Sequence, residues 1–252
     1  MHAVQEADSP STRPELVAFD EVAVRYRGGV TVGPISFKLS AGRVLGLVGE
    51  NGAGKTTILR LLCGLVVPRA GAVTVRGERV NAGHVPADLG ALIEEPPFFG
   101  WATGRQHLLL AASAQPGCRP RVAELLDLVG LAARGDDVVA SYSQGMRQRL
   151  GIARAMLHDP QVLVLDEPSN GLDPRGVSWL RGMLRQRAND GKAVIVSSHL
   201  LAEMQLVADQ VILLAGGQVL GVVDVSQLST RPGALEEAYF EMLSTAAAPD
   251  MA

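Results

Sequence analysis

Lysine is scarce in this 252-residue chain, with Lys38, Lys55 and Lys192 its only examples. The formal net charge is -3 and the pI is near 6.0, so no basic field exists to hold a nucleic-acid backbone. Nucleic acid is therefore not an expected partner. Cysteine is nearly absent too. Cys63 and Cys118 match neither a disulfide framework nor paired metal-ligand spacing, which predicts two small buried hydrophobes, a reducing compartment and no structural metal. Long apolar runs are missing although mean hydropathy is high at +0.19; none approaches the roughly 18 to 20 residues that cross a bilayer. The opening 1–14 is polar, unlike a secretory signal, and reads as a flexible tail. Any work at a membrane would have to pass through a partner.

What is present is ample core material. At 26.5 kDa, 47% hydrophobic and 19% charged, the chain fits one domain, or one domain with an appended lobe. Such a composition excludes disordered, fibrous and coiled-coil classes. From Leu16 to Phe37 apolar and polar residues alternate in short runs, broken by Gly28, Gly29 and Gly33-Pro34, which predicts antiparallel strands. An apolar strand at Val44 to Val48 meets a glycine-rich loop, then a helical pattern from Lys55 to about Leu65, then a short strand at Ala72 to Val75. From about Thr103 to Met156 the pattern is helical with no strand, as expected of an inserted helical lobe. Strands return at Val162 to Leu165 and Ala193 to Val196, separated by a helix from about Pro174 to Ala188, which predicts a mostly parallel sheet. Two further strands within Val211 to Val225 and a final helix through Leu235, Ala238, Tyr239 and Leu243 complete the pattern, and 244–252 reads as a small polar tail.

The segment Gly49-Glu50-Asn51-Gly52-Ala53-Gly54-Lys55-Thr56-Thr57 fits G-x-x-x-x-G-K-[ST], between a predicted strand and a predicted helix as that phosphate-binding loop requires. Its glycines let backbone N–H groups turn toward phosphate oxygens, Lys55 reaches the outer phosphates, and the Thr56 hydroxyl suits magnesium. Downstream, the strand Val162 to Leu165 runs into Asp166-Glu167. The two carboxylates can divide their roles if the chain turns there, and Pro168 is the expected turn residue. Asp166 is then placed for the magnesium shell and Glu167 to polarise the attacking water. Ser143 is a natural N-cap for a helix running to about His158, and its hydroxyl with the Gly145 backbone could bind phosphate. Asp173 before Pro174 reads as the N-cap of the next helix.

In order along the chain stand the phosphate loop, Tyr142-Ser143-Gln144-Gly145, Val162 to Glu167, Ser169-Asn170-Gly171-Leu172-Asp173, and His199 after a strand. Together these closely resemble the ATP-binding cassette of ABC transporters over about Val17 to Gly221. The resemblance implies an α/β P-loop NTPase fold: a RecA-like parallel-sheet core, an antiparallel β subdomain and a helical lobe at about 100–157, within one nucleotide-binding domain at 15–243. It implies ATP and Mg2+ as cofactors, and a second cassette packed head to tail. Ser143, Gln144 and Gly145 would then act in trans on the partner's nucleotide, His199 would contact the terminal phosphate beside Glu167, and Asp173 would lie at the dimer seam. Tyr26 stands where the family places an adenine-stacking aromatic, although an ordinary strand tyrosine also fits. The family's LSGGQ is YSQGM here, keeping only the Ser and the second Gly. Where the family usually has glutamine, this chain has Glu94, which can only accept hydrogen bonds when ionised and would add charge beside the metal, joining Thr56 and Asp166.

The run Ile93-Glu94-Glu95-Pro96 and the form of the signature helix resemble the bacitracin- and lantibiotic-type exporter branch. That implies an ATP-hydrolysing subunit, peripheral on the cytoplasmic face of the membrane, that drives export of an antibiotic, peptide or drug through separate multi-span permease subunits. The second cassette would be an identical copy or a paralogue. Phe98, Phe99 and Trp101 would either meet a permease helix or fill the helical lobe. A soluble ABC ATPase of the iron-sulfur assembly type is the rival reading. A P-loop GTPase is excluded, because none of the three lysines follows an asparagine as the Asn-Lys-x-Asp base-reading motif needs.

Overall fold

The computed structural model describes residues 13–25, 31–94, 97–114 and 117–247. Strands β1 (Glu15–Arg25) and β2 (Thr31–Ser40) pair antiparallel, and β1 also pairs antiparallel with β4 (Ala70–Val75), which carries the two-residue β5 (Glu78–Arg79) at the edge. The second sheet runs in the order β10 (Gln218–Asp224), β9 (Gln210–Ala215), β3 (Val44–Gly49), β8 (Ala193–Ser198), β7 (Val162–Leu165), β6 (Leu89–Leu92). Its pairings from β9 to β6 are all parallel, and β10 closes one edge antiparallel. Parallel strands covered on both faces read as continuous apolar runs, which is why β3, β7 and β8 show no alternation in sequence.

Alternation reappears in where their side chains go. Val44 and Val48 of β3 enter one core with Leu163, Leu165, Val194 and Val196, while Leu45 and Leu47 enter the other with Val162, Val164 and Ile195. The first core is closed by α2 (Gly104–Ser113), α3 (Arg121–Leu128), α4 (Gln144–Ala155), α5 (Pro174–Asn189), α6 (Leu201–Val207) and α7 (Ala234–Ala247). The second lies between α1 (Lys55–Leu62), the central sheet and the antiparallel sheet, where Phe19, Ile35 and Leu39 meet Ile58 and Leu62. Cys63 and Cys118 are both buried, and burial pushes the Cys63 thiol up to about 12, where it is inert.

Several boundaries differ from the sequence expectation. Helix α1 ends at Leu62 rather than Leu65, because Gly64 turns the chain left-handed at φ 67°. Strand β2 continues through Gly33-Pro34, where a Cβ on Gly33 would stand 2.3 Å from the Val22 carbonyl oxygen, so only glycine permits the two strands to stay paired. Helix α4 stops at Ala155, short of His158. Helix α7 continues through 244–247, which therefore are helical rather than tail. Neither β6 nor α6 is evident from composition: one is four residues containing a glycine, the other seven residues without a side-chain cap.

Candidate nucleotide site

The carboxyl ends of the parallel strands deliver the chemistry. From β3 comes the loop 49–54, from β7 Asp166 and Glu167, from β8 His199, and from β6 Glu94. These strands are neighbours, and the ends of β3, β6 and β7 converge on one cavity of about 470 Å³ lined by Glu50, Asn51, Gly52, Gly54, Lys55, Thr56, Thr57, Glu94, Gln144, Gln148, Asp166, Glu167 and Asn170, with Val32 from the antiparallel sheet, while His199 lines an adjoining pocket with Glu50, Asn51 and Tyr239. Gly49 and Gly54 are required by geometry. A Cβ on Gly49 would sit 2.3 Å from the Leu214 carbonyl oxygen, and Gly54 adopts φ 106° with Val32 only 3.0 Å from where its Cβ would be. Helix α1 begins without a side-chain cap, so its first-turn N–H groups and positive dipole end remain for an anion.

The buried Lys55 ammonium donates to the Gly49 carbonyl at 2.6 Å and to Glu50 O at 3.3 Å. It also stands 3.2 Å from Glu167 Oε1. That last contact is an ion pair without hydrogen-bond geometry, leaving Glu167 Oε1 buried with no donor aimed at it. Thr56 Oγ1 donates to Asp166 Oδ2 at 2.9 Å, and Ser197 Oγ donates to Asp166 Oδ1 at 2.5 Å while accepting the Glu167 N–H at 2.8 Å. One hydroxyl thus orients both acidic residues. His199 Nδ1 lies 2.8 Å from Glu167 Oε2. The turn that separates the two carboxylates is made by Glu167 itself, at φ 45°, one residue before the expected Pro168, and is closed by the Asn170 N–H donating to Glu167 O at 3.1 Å.

A hydroxyl and a carboxylate within hydrogen-bond reach form a hard oxygen donor pair, which suits magnesium. Glu94 shares the cavity wall, but its Oε1 is engaged by Arg60 rather than by Thr56 or Asp166.

The family model described as ABC transporter matches residues 32–170, more than half of the chain. The chain belongs to the ABC transporter family. It is 40% identical over 214 residues to the uncharacterized ABC transporter ATP-binding protein YhcH of Bacillus subtilis (strain 168), covering 83% of this chain and 70% of that one. It is also 34% identical over 220 residues to the bacitracin transport ATP-binding protein BcrA of Enterococcus faecalis, covering 86% and 71%. A solved ATP binding subunit of an ABC transporter superposes with a TM-score of 0.79 at 28% identity, over 90% of this chain and 99% of that one. This ABC family member is accordingly an ATP-hydrolysing transporter subunit with the P-loop cassette fold. Such subunits dimerise and work with membrane permeases. The iron-sulfur assembly alternative is not favoured.

The remaining residues singled out from sequence lie as follows. Ser143 caps α4, accepting the Met146 N–H at 3.2 Å. Gln144 lines this chain's own cavity, and Gly145 packs so closely on Gly171 that a Cβ would meet its carbonyl oxygen at 2.7 Å. Asp173 caps α5 by accepting the Gly176 N–H at 2.7 Å. Tyr26 lies outside the described residues. Sequence reasoning missed Ser197, Gln148 and Arg60. The polar pair Ser197-Ser198 at the end of an apolar strand was the available signal for the first.

Proposed function

We propose that this cassette powers export of an antibiotic, peptide or drug through separate multi-span permease subunits, from the cytoplasmic face of the membrane. The observation that carries its catalytic part is the convergence of Lys55, the Thr56–Asp166 pair and Glu167 on one cavity, with His199 reaching Glu167 from outside that lining. In this reading residues 15–243 form one nucleotide-binding domain with its helical lobe at about 100–157, and its last helix runs on to Ala247. The loop from Gly49 to Thr57 wraps the phosphates, and Lys55 neutralises the outer ones. Thr56 and Asp166 hold magnesium, which when bound neutralises charge on the phosphate oxygens. Glu167 is the general base that takes a proton from water; its Oε1, buried 3.2 Å from the Lys55 ammonium, is released for that role when Lys55 turns to the phosphates, while His199 holds Oε2 and fixes the carboxylate's orientation. Ser143 and Gly145 meet the nucleotide of a second cassette, a copy or a paralogue, with Asp173 at the seam, whereas Gln144, expected to act there too, lines this chain's own cavity. Tyr26 stacks on the base.

Export is supported by the likeness to BcrA, described as a bacitracin transport protein. Among the described residues no helix is long and apolar enough to cross a membrane, in keeping with separate permease subunits. The permease is expected at the aromatic surface before α2: Trp101 is 77% and Phe99 54% exposed, whereas Phe98 packs against the core. To test this, tagged Glu167→Gln protein is captured with ATP from detergent-solubilised host membranes and its companions identified by mass spectrometry. A multi-span membrane protein is expected; soluble partners alone would overturn the transport assignment for this chain.

A further inference from the structure

Among the described residues lining the nucleotide cavity, Lys55 is the one cation set against the carboxylates of Glu50, Glu94, Asp166 and Glu167. A polyphosphate entering such a wall meets repulsion that Lys55 alone does not offset. Asp166 is held by Thr56 and Ser197, and Glu167 stands against Lys55 and His199. Glu94 has a different partner, the Arg60 guanidinium, which lies outside the cavity lining. Arg60 is one helical turn beyond Thr56 on α1, so the two share a face of the helix that begins at the phosphate loop. Glu94 is held in a left-handed backbone conformation at φ 62°, uncommon for a residue with a side chain, so its placement is imposed by the surrounding fold.

We propose that Arg60 is a positioning residue that neutralises Glu94 and lets a carboxylate stand in the wall of a polyphosphate site. The inference rests on the nucleotide-binding reading above. Arg60 acts through Glu94 and does not touch the reacting atoms. Both side chains are substantially exposed, at 37% and 60%, so the pair contributes little to folding and its effect is expected in ligand affinity instead.

The test is ATP binding by calorimetry on the full chain, with EDTA for the metal-free nucleotide and with magnesium and a non-hydrolysable analogue. Arg60→Ala is expected to weaken both by roughly three-fold or more, the order of one uncompensated unit charge acting on the phosphates through a water-like medium. Arg60→Lys is expected to retain affinity, and the double variant Arg60→Ala/Glu94→Gln to return to within about two-fold of the parent, with thermal unfolding little changed throughout. Unchanged affinity in Arg60→Ala, or a loss that Glu94→Gln does not restore, would overturn the proposal. So would a Glu94→Gln variant that loses affinity only when magnesium is present, which would make Glu94 a metal ligand. If the parent chain bound no ATP, the nucleotide reading itself would fail, and that result is visible before any variant is made.

Discussion

Ser197 has no solvent exposure and joins the two acidic residues of the site, donating to Asp166 and accepting from the Glu167 backbone. Replacing it with alanine removes a hydrogen bond to a charged group, worth about 1.5 to 3 kcal/mol. It also strips the Glu167 N–H of its acceptor, at a cost of about 1 to 3 kcal/mol. The two losses overlap, so Ser197→Ala is expected to lower unfolding free energy by about 2 to 4 kcal/mol in nucleotide-free protein, read from urea melts. The catalytic consequence is separate. Glu167 sits in a left-handed turn, and losing its backbone anchor moves the carboxylate proposed as the base, for which a misplacement of about 1 Å costs on the order of 10²-fold in rate. Turnover is therefore expected to fall about 10- to 100-fold with a smaller change in KM for ATP. Ser197→Cys, a weaker donor of similar shape, is expected to fall between. An alanine variant that unfolds within about 0.5 kcal/mol of the parent and turns over normally would refute the reasoning.

Lys55→Ala removes the one cation among the described residues lining the cavity, the charge proposed to face the outer phosphates, and is expected to abolish ATP binding by calorimetry; unchanged affinity would contradict the phosphate-loop assignment. At the opposite, amino-terminal end of the parallel strands, Asp159 gathers Arg121, Arg187 and Lys192. Burial alone would raise its carboxyl, but hydrogen bonds from Arg187 and Lys192 outweigh this and hold it below the usual carboxylate range. A depressed folded-state pKa gives stability that is present above about pH 4 and lost as pH falls through the lower folded value. Asp159→Asn is therefore expected to lower stability at pH 7 and to flatten the acid limb of a urea-midpoint profile, whereas an unchanged acid limb would show that Asp159 adds nothing there.

The parts of the site written as consecutive residues were legible in the sequence. The loop from Gly49 to Thr57 is contiguous and needs no tertiary partner to be read, and Asp166-Glu167 close an apolar run whose length marks a buried parallel strand. The helix starts at Ser143 and Asp173 were legible for the same reason, since a cap is local chemistry. Contacts between separate strands were not. Ser197 reaches Asp166 only because β8 lies beside β7, and Arg60 reaches Glu94 only because α1 and the end of β6 converge. Strand β6 escaped notice because its four residues are defined by pairing with β7, not by periodicity, and Gly90 in it is fixed by packing: a Cβ would stand 2.0 Å from the Ala155 carbonyl oxygen. The turn beside the two carboxylates was assigned to Pro168, yet Glu167 makes it, because the backbone bonds to Ser197 and Asn170 outweigh the local preference against φ > 0.

The central claim is that Glu167 activates water at a site that binds ATP independently of it. Glu167→Gln keeps the shape and removes the base, so ATP turnover should fall by about 10²-fold or more while calorimetric ATP affinity stays near that of the parent. Turnover close to the parent value in that variant, with binding intact, would contradict the account.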